Sequence, residues 1–324
     1  MKRIAVVMIT LGLLAGCGGQ SPTQQDAGAA EAKDEPLEIA VIPKGLAHQF
    51  WLTVKAGAEA AGDEFGAEIL WQGPAKETEI VKQINIVQDM INRHIDGLVL
   101  AACDENALIP TIEQAMNQDI PVITIDSGVK SDLPLSFVAT DNVAGAKLAA
   151  ETLVELIGGS GAVGLIPFVP GAATSEMREQ GFVEGIKQFP EVELVATLYC
   201  HSDVAKAMDV TQDMLTANAD LKGIFAANEA AAIGSAQAIR AAGKAGEVKL
   251  VAFDASEEEI SGLKDGTIQA LVVQNPFKMG YDGVKAAIDA MHDRPVPKRI
   301  DTGVTVVTME NFNKPEIQKL LYPL

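Results

Sequence analysis

From residue 37 onward the chain alternates short, almost continuously apolar runs with longer segments whose apolar residues recur at helical spacing. The short runs are LEIAVI (37–42), AEILW (67–71), GLVLA (97–101), IPVITI (120–125), SFVA (136–139), GAVGLI (161–166), VELVATL (192–198), KGIFAA (222–227), EVKLVAF (247–253), IQALVVQ (268–274) and GVTVVT (303–308). Helical spacing occupies 49–64, 78–93, 105–117, 142–157, 175–188, 204–217, 229–242 and 277–292. A strand that is apolar on both faces must be covered on both faces. Strands separated by helices have crossovers long enough to pair in parallel. The pattern therefore predicts an α/β chain with doubly wound parallel sheets. The strands divide about evenly around residue 140, which predicts two similar lobes rather than one large sheet. Local signals agree. Asp141-Asn142 can cap the helix over 142–157, Gly158-Gly159 can end it, and Pro276 after Asn275 sits where a first helical turn tolerates proline. The glycines of GGSGAVG (158–164) precede a strand, whereas a phosphate loop follows one, so they read as a helix stop and turn.

The N-terminus has a different pattern. Met1-Lys2-Arg3 leads into an apolar run from Ile4 to Leu14 and then Leu-Ala-Gly-Cys at 14–17. A positive start, an apolar stretch and small residues before the cut are the layout of a secretory signal. Cysteine directly after Leu-Ala-Gly makes it resemble a bacterial lipoprotein signal. The resemblance implies a signal peptide over 1–16 and Cys17 as the lipid-carrying first residue of the mature chain. The alternative is an ordinary signal peptide cut elsewhere. The apolar run is too short for a membrane-spanning helix. Residues 18–36 lack apolar periodicity and are rich in Gly, Ala, Gln, Asp and Glu. Such a segment cannot bury enough surface to offset its ordering entropy, so 17–36 reads as a lipidated cysteine and a disordered acidic tether, with a reach of roughly 20–25 Å.

Composition narrows the function. The net charge is −19, from 25 basic and 44 acidic residues. That argues against nucleic acid, whose binding surfaces need basic patches, and against docking flat on anionic lipid, leaving the lipid anchor as the membrane contact. With Cys17 lipidated, only Cys103 and Cys200 remain, without zinc-type spacing. They read as two separate buried thiols, with one disulfide as the alternative.

In doubly wound sheets a ligand sits beyond the carboxyl ends of the strands. Those ends carry Pro43 to His48, Gln72-Gly73, Cys103-Asp104, Asp126-Ser127, Pro167-Phe168, Tyr199 to Asp203, Asn228-Glu229, Asp254 to Ser256 and Gln274-Asn275. The set is rich in amide, carboxylate and aromatic groups and has no nucleophile motif. His48, Cys103, Cys200 and His201 would come from opposed lobes and lack a local ligand pair, so no metal and no cofactor is expected.

The motifs HQFW, IPVITIDS, VATDN, TSEMREQGF, IFAANE, LVAFDAS and LVVQNPFKMGYDGVKAA occur in that order. Together they resemble the type I periplasmic sugar-binding proteins, over nearly all of 37–308. The resemblance implies two similar α/β lobes joined by three crossovers near Ala139-Thr140, Gln274-Asn275 and Asp301-Thr302. The lobes would be 37–139 plus 275–301 and 140–274 plus 302–324, with sugar held between them. Residue by residue, Phe50 and Trp51 match two aromatics that sandwich the sugar ring. Asp126 and Arg178 match hydroxyl-binding groups of the first and second lobe. Asn228, Asp254 and Gln274 match polar groups at later strand ends. His48 replaces the usual asparagine, Ser127 stands where ribose binders often have arginine, and Ser202 stands where an aromatic is common; these departures argue against a plain ribose site. The inventory suits a sugar, whose hydroxyls both donate and accept around an apolar ring face.

The expected function is an extracytoplasmic lipoprotein, monomeric and not an enzyme. It would capture a sugar-like molecule by hinge closure and pass it to the permease of an ABC importer. A sensory receptor built on the same fold is the alternative. A repressor of the lactose-repressor type would need a basic helix-turn-helix where this chain has a signal and an acidic tether. A glycosidase would need a positioned carboxylate pair, and Asp126 and Asp254 have too many hydrogen-bonding neighbours for that role.

Overall fold

The computed structural model describes residues 36–321. The leader, Cys17 and all of the tether before Pro36 lie outside them. Five strands open the first sheet: β1 (Leu37–Ile42), β2 (Ala67–Trp71), β3 (Gly97–Leu100), β4 (Val122–Ile125) and β5 (Ser136–Ala139). Five open the second: β6 (Gly161–Ile166), β7 (Val192–Thr197), β8 (Leu221–Ala226), β9 (Lys249–Phe253) and β10 (Ala270–Val273). Two short strands then complete one sheet each, β11 (Arg299–Asp301) the first and β12 (Thr305–Val307) the second. The strand orders are β11-β5-β4-β3-β1-β2 and β12-β10-β9-β8-β6-β7, the same winding in both lobes.

The first sheet is covered by α1 (Gln49–Phe65), α2 (Ile80–Asn92), α3 (Ile109–Met116) and α9 (Pro276–Met291). The second carries α4 (Asn142–Leu156), α5 (Ala173–Ile186), α6 (Val204–Ala217), α7 (Glu229–Ala241) and α8 (Glu257–Asp265), and a short α10 (Pro315–Gln318) follows β12. Every residue of β3, β4 and β10 is buried, as their unbroken apolar runs require. The capping signals hold. Asp141 accepts from the Ala144 amide, Gly158 and Gly159 have φ of 79° and 84° beyond the end of α4, and Asn275 caps α9 with Pro276 in its first turn.

Three departures from the sequence pattern have local causes. α8 is absent from the helical pattern because only Ile260 and Leu263 are apolar in its nine residues, leaving no stripe. Its Ser256–Glu259 capping box and its Gly266 stop are nevertheless in the sequence. β11 is three residues long, too short for any periodicity. β12 pairs antiparallel to β10, the one exception to parallel pairing among the described strands. It enters the second sheet directly from β11 after residues 302–304, with no crossover helix to turn it around.

The chain passes between the sheets three times, between β5 and α4, β10 and α9, and β11 and β12. Two of these passages are stitched side by side. Thr140 Oγ1 lies 3.3 Å from Thr302 Oγ1 and donates to the Gly303 carbonyl at 3.1 Å, while Arg299 Nη2 donates to the carbonyls of Ala139 and Thr140 at 3.2 and 2.9 Å.

In the first lobe α1 lies directly on α9. A Cβ on Gly57 would overlap the Phe277 carbonyl, and one on Gly280 would overlap the Val54 carbonyl. The two glycines therefore set the separation that aims the first turn of α1 at the second lobe. Gly57→Ala is expected to lower stability by about 1–3 kcal/mol through forced separation of the helices. A thermal melt of the variant checks this; a melting temperature equal to that of the wild type would refute the close-packing account.

Candidate functional site

The carboxyl ends of both sheets face one another across a cavity lined by Lys44, His48, Phe50, Trp51, Glu77, Asp126, Phe168, Arg178, Asn228, Glu229, Asp254 and Gln274. Its empty volume, counted with the space open to solvent at its mouth, is about 280 Å³. The scale is that of one small polar molecule, below the usual range of drug-sized sites. All eight cavity residues expected from the sequence are brought together here. Lys44, Glu77, Phe168 and Glu229 complete the wall and were not singled out. Lys44, Phe168 and Glu229 each follow a strand, so the strand-end rule already marked their positions. Glu77 lies in the loop between β2 and α2, six residues beyond the end of β2.

Backbone geometry aims the acids. Asp126 follows β4 with φ of 53°, and Asp254 follows β9 with φ of 98°. Both are in left-handed conformations that cost energy for residues other than glycine and that cluster at functional sites. Each amide remains tied to the neighbouring strand, Asp126 to the Val138 carbonyl and Asp254 to the Val272 carbonyl, both at 3.0 Å. The matching geometry in the two lobes presents one carboxylate from each into the cleft. Asp254 accepts from the Glu229 amide, the first of α7, at 3.0 Å and from Gln274 Nε2 at 2.6 Å; it does not cap α8, the helix that follows it, which is capped by Ser256.

Arg178 is buried rather than paired on the surface. Its Nε donates to Asn142 Oδ1 at 2.9 Å and its Nη1 to the Ala227 carbonyl at 2.7 Å, and the guanidinium lies 3.7 Å from the Phe253 ring centroid. The side chain is thus fixed before any guest arrives. Asn228 serves twice: its Oδ1 caps α7 through the Ala231 amide at 3.0 Å, and its Nδ2 donates to Ser202 Oγ at 2.7 Å.

The aromatic wall departs from the expected sandwich. Phe50 and Trp51 meet edge to face, with ring centroids 4.8 Å apart and planes at 86°. Consecutive residues on a helix point about 100° apart, so these two cannot present parallel faces to a ring between them. The aromatic opposite is Phe168, from the second lobe. The Lys44 ammonium lies between, 5.7 Å from the Trp51 centroid and 5.2 Å from that of Phe168. Lys44 pairs with Asp126 at 3.0 Å and donates to Thr174 Oγ1 across the cleft at 2.9 Å. Trp71, by contrast, is only partly buried and lines no part of this cavity.

The charges in the cavity are nearly balanced: Lys44, Arg178 and protonated His48 against Glu77, Asp126, Glu229 and Asp254. Burial opposes the charge on Lys44, but Asp126 and Glu77 outweigh it and raise the ammonium above its ordinary value. Burial raises Asp126 despite Lys44 and Arg178. For His48 burial acts downward, and Glu77, Glu229 and Asp254 together push it up to about 9. Glu77 is held well below the carboxylate range because Lys44, His48 and the Trp51 indole N–H overcome its burial. Gln274 Oε1 is buried without a hydrogen-bond donor, and a buried acceptor left unpaired costs free energy that a guest hydroxyl would recover.

Cys103 and Cys200 are separate, buried and free. Among the described residues no group of three or more His, Cys, Asp or Glu side chains could hold a metal ion, and no helix is long and apolar enough to cross a membrane.

Comparison with known proteins agrees with this geometry. The D-ribose/D-allose-binding protein of Pseudomonas aeruginosa is 31% identical over 324 residues, covering 97% of this chain and 100% of the relative. The crystal structure of an ABC transporter solute-binding protein from Agrobacterium vitis with bound D-fucose is 42% identical, with a TM-score of 0.86, and covers 88% of this chain and 100% of that one. A carbohydrate transporter solute-binding protein from Agrobacterium radiobacter in complex with D-arabinose is 33% identical, with a TM-score of 0.86, over 88% and 99% of the two chains. The family model for the periplasmic binding protein domain matches residues 39–294. Because that match runs from β1 through α9 and so takes in both lobes, this chain belongs to the periplasmic binding protein family.

Proposed function

We propose that the chain is an extracytoplasmic solute receptor that captures one sugar or sugar-like molecule between its lobes and delivers it to an ABC importer. The observation that carries this reading is the convergence of side chains from both sheets on one small cavity with an aromatic on each side and a buried acceptor, Gln274 Oε1, without a donor. The rigid bodies are 37–139 plus 275–301 and 140–274 plus 302–324, and guest contacts to both favour the closed arrangement over the open one. Asp126, Asp254, Asn228, Gln274, His48 and Arg178 bind hydroxyls, while Phe50 and Trp51 face the ring's C–H surface from one lobe. Lys44, Glu77, Phe168 and Glu229 join them in the wall. The receptor acts as a monomer. It is no enzyme on this reading, because the cleft carboxylates are engaged in fixed hydrogen bonds and none stands as a free acid beside a matching base. The solved relatives with D-fucose and D-arabinose support a monosaccharide guest.

A thermal-shift screen over D-fucose, D-arabinose, D-allose, D-ribose and other monosaccharides tests the reading, since a guest at 100 times its dissociation constant adds about 2.7 kcal/mol of stability. For the sugar that scores, Asp254→Ala is expected to weaken calorimetric affinity by about 100-fold or more, the effect of losing charged hydrogen bonds. Unchanged affinity in the folded variant would remove Asp254 from the site.

His48 supplies a pH dependence. Its value in the folded chain, about 9, lies above the ordinary imidazole value of 6.5. A raised value means that the contribution to stability is complete below about pH 6.5, declines above it, and is gone once the pH passes about 9. The melting temperature of the wild type should therefore carry a downward slope across that window which His48→Gln lacks. Parallel profiles would show that His48 does not titrate in this way.

The lipid anchor at Cys17 is also part of the proposal. Intact mass of the chain from membranes of a bacterial host should start at Cys17 and carry added acyl mass, and Cys17→Ser should release the protein from the membrane fraction. A mature chain beginning elsewhere would replace the anchor with an ordinary secretory signal.

A further inference from the structure

A second cavity lies against the first. Its lining includes Gly45, Lys76, Asp203 and Glu258, and its empty volume, counted with the space open to solvent, is about 820 Å³. It shares His48, Glu77 and Glu229 with the inner cavity. Between the two runs a chain of hydrogen bonds that crosses from lobe to lobe. Asn228 Nδ2 donates to Ser202 Oγ at 2.7 Å, Ser202 Oγ donates to Glu77 Oε2 at 2.9 Å, and Trp51 Nε1 donates to Glu77 Oε1 at 2.9 Å. His48 Nδ1 stands 3.6 Å from the same Oε1. Ser202 lines the outer cavity and not the inner one, while Glu77 faces both.

Resting on the sugar-receptor reading above, we infer that the Glu77–Ser202 hydrogen bond is a specificity wall: it closes the inner cavity toward the outer one and limits the guest to a single unsubstituted ring at that end. Each partner is suited to the task. Glu77 is 5% exposed and holds the Trp51 indole with one oxygen while reaching Ser202 with the other. Ser202 follows His201, and both have left-handed φ, 55° and 54°. That backbone brings a small hydroxyl to the seam where a bulkier side chain would fill the space itself. The wall is therefore thin, and it is made of one hydrogen bond between lobes. The outer cavity is the roomier of the two, with an empty volume of about 820 Å³ against about 280 Å³, each counted with the space open to solvent.

The left-handed φ of Ser202 provides a variant that folds. Ser202→Gly removes the hydroxyl at a position where glycine relieves strain. Ser202→Asn keeps a donor at a φ that asparagine tolerates. The probes are D-fucose and its mono-O-methyl ethers, one for each hydroxyl. In the wild type the methyl ether whose substituent points at the wall should bind at least 30-fold more weakly than D-fucose. Ser202→Gly should narrow that one gap by at least tenfold and leave the other ethers unchanged, and Ser202→Asn should retain it. Discrimination that Ser202→Gly leaves unchanged for every ether would overturn the inference.

A readout without sugar separates the wall from the receptor reading. In a Trp71→Phe background Trp51 is the one remaining indole, because the chain has two tryptophans. Acrylamide is neutral and small enough to pass from the outer cavity. Ser202→Gly should raise its quenching constant for Trp51 at least twofold over the Trp71→Phe parent, and Ser202→Asn should not. An unchanged constant overturns the wall even if sugars bind. A raised constant in a protein that binds no sugar supports the wall and tells against the receptor reading alone.

Discussion

The first helix is capped by the opposite lobe. His48 is the N-cap of α1 and makes no side-chain capping bond. Instead the two carboxylate oxygens of Glu229 accept from the Gln49 and Phe50 amides, each at 3.0 Å. An uncapped helix start leaves backbone N–H groups without partners and a partial positive charge, and a carboxylate satisfies both. The relation is reciprocal, because Gln49 Oε1 accepts from the Glu257 amide at the start of α8 at 2.8 Å. Glu229 is itself placed by Asp254, which accepts from its amide. The aromatic wall of the cavity stands on the first turn of α1, so the same bonds that join the lobes also fix Phe50 and Trp51.

This arrangement links recognition to closure. Lys44 reaches Thr174, Glu77 receives Ser202, and the Glu105 amide donates to the Gly171 carbonyl at 3.0 Å, all across the cleft. A group that contacts a guest from one lobe is therefore one or two bonds from a group that holds the other. The near balance of charge in the cavity matters for the same reason. Buried ions are tolerable when each is paired and hydrogen-bonded, and here the pairing partners come from both lobes. Separation of the lobes returns them to water, so the closed arrangement depends on many small terms that a guest can tip.

The fold was legible because its signal is repetitive. Strands buried on both faces appear as apolar runs, and their alternation with helical stripes is visible without any knowledge of contacts. α8 and β11 escaped for lack of a stripe or of length. In the site, Asp126, Asn228, Asp254 and Gln274 were legible because a strand end in a wound sheet is a defined place. Glu77 was not, because it lies in a loop whose path the sequence pattern does not describe. Nor could the sequence tell that Phe50 and Trp51 form one wall and Phe168 the other, since that follows from how α1 meets the second lobe.

By itself, then, the sequence determined the α/β class, the two-lobed organisation, the strand-end location of the polar groups and the acidic net charge. These are properties of local pattern and composition, and they need no knowledge of which residues touch. The tertiary structure alone decided that Glu229 caps the helix of the other lobe, that Lys44 stands between Trp51 and Phe168, and that Glu77 meets Ser202 over a separation of 125 residues. Each depends on how two separately wound sheets are turned toward one another, and no local pattern of hydrophobic and polar positions carries that angle.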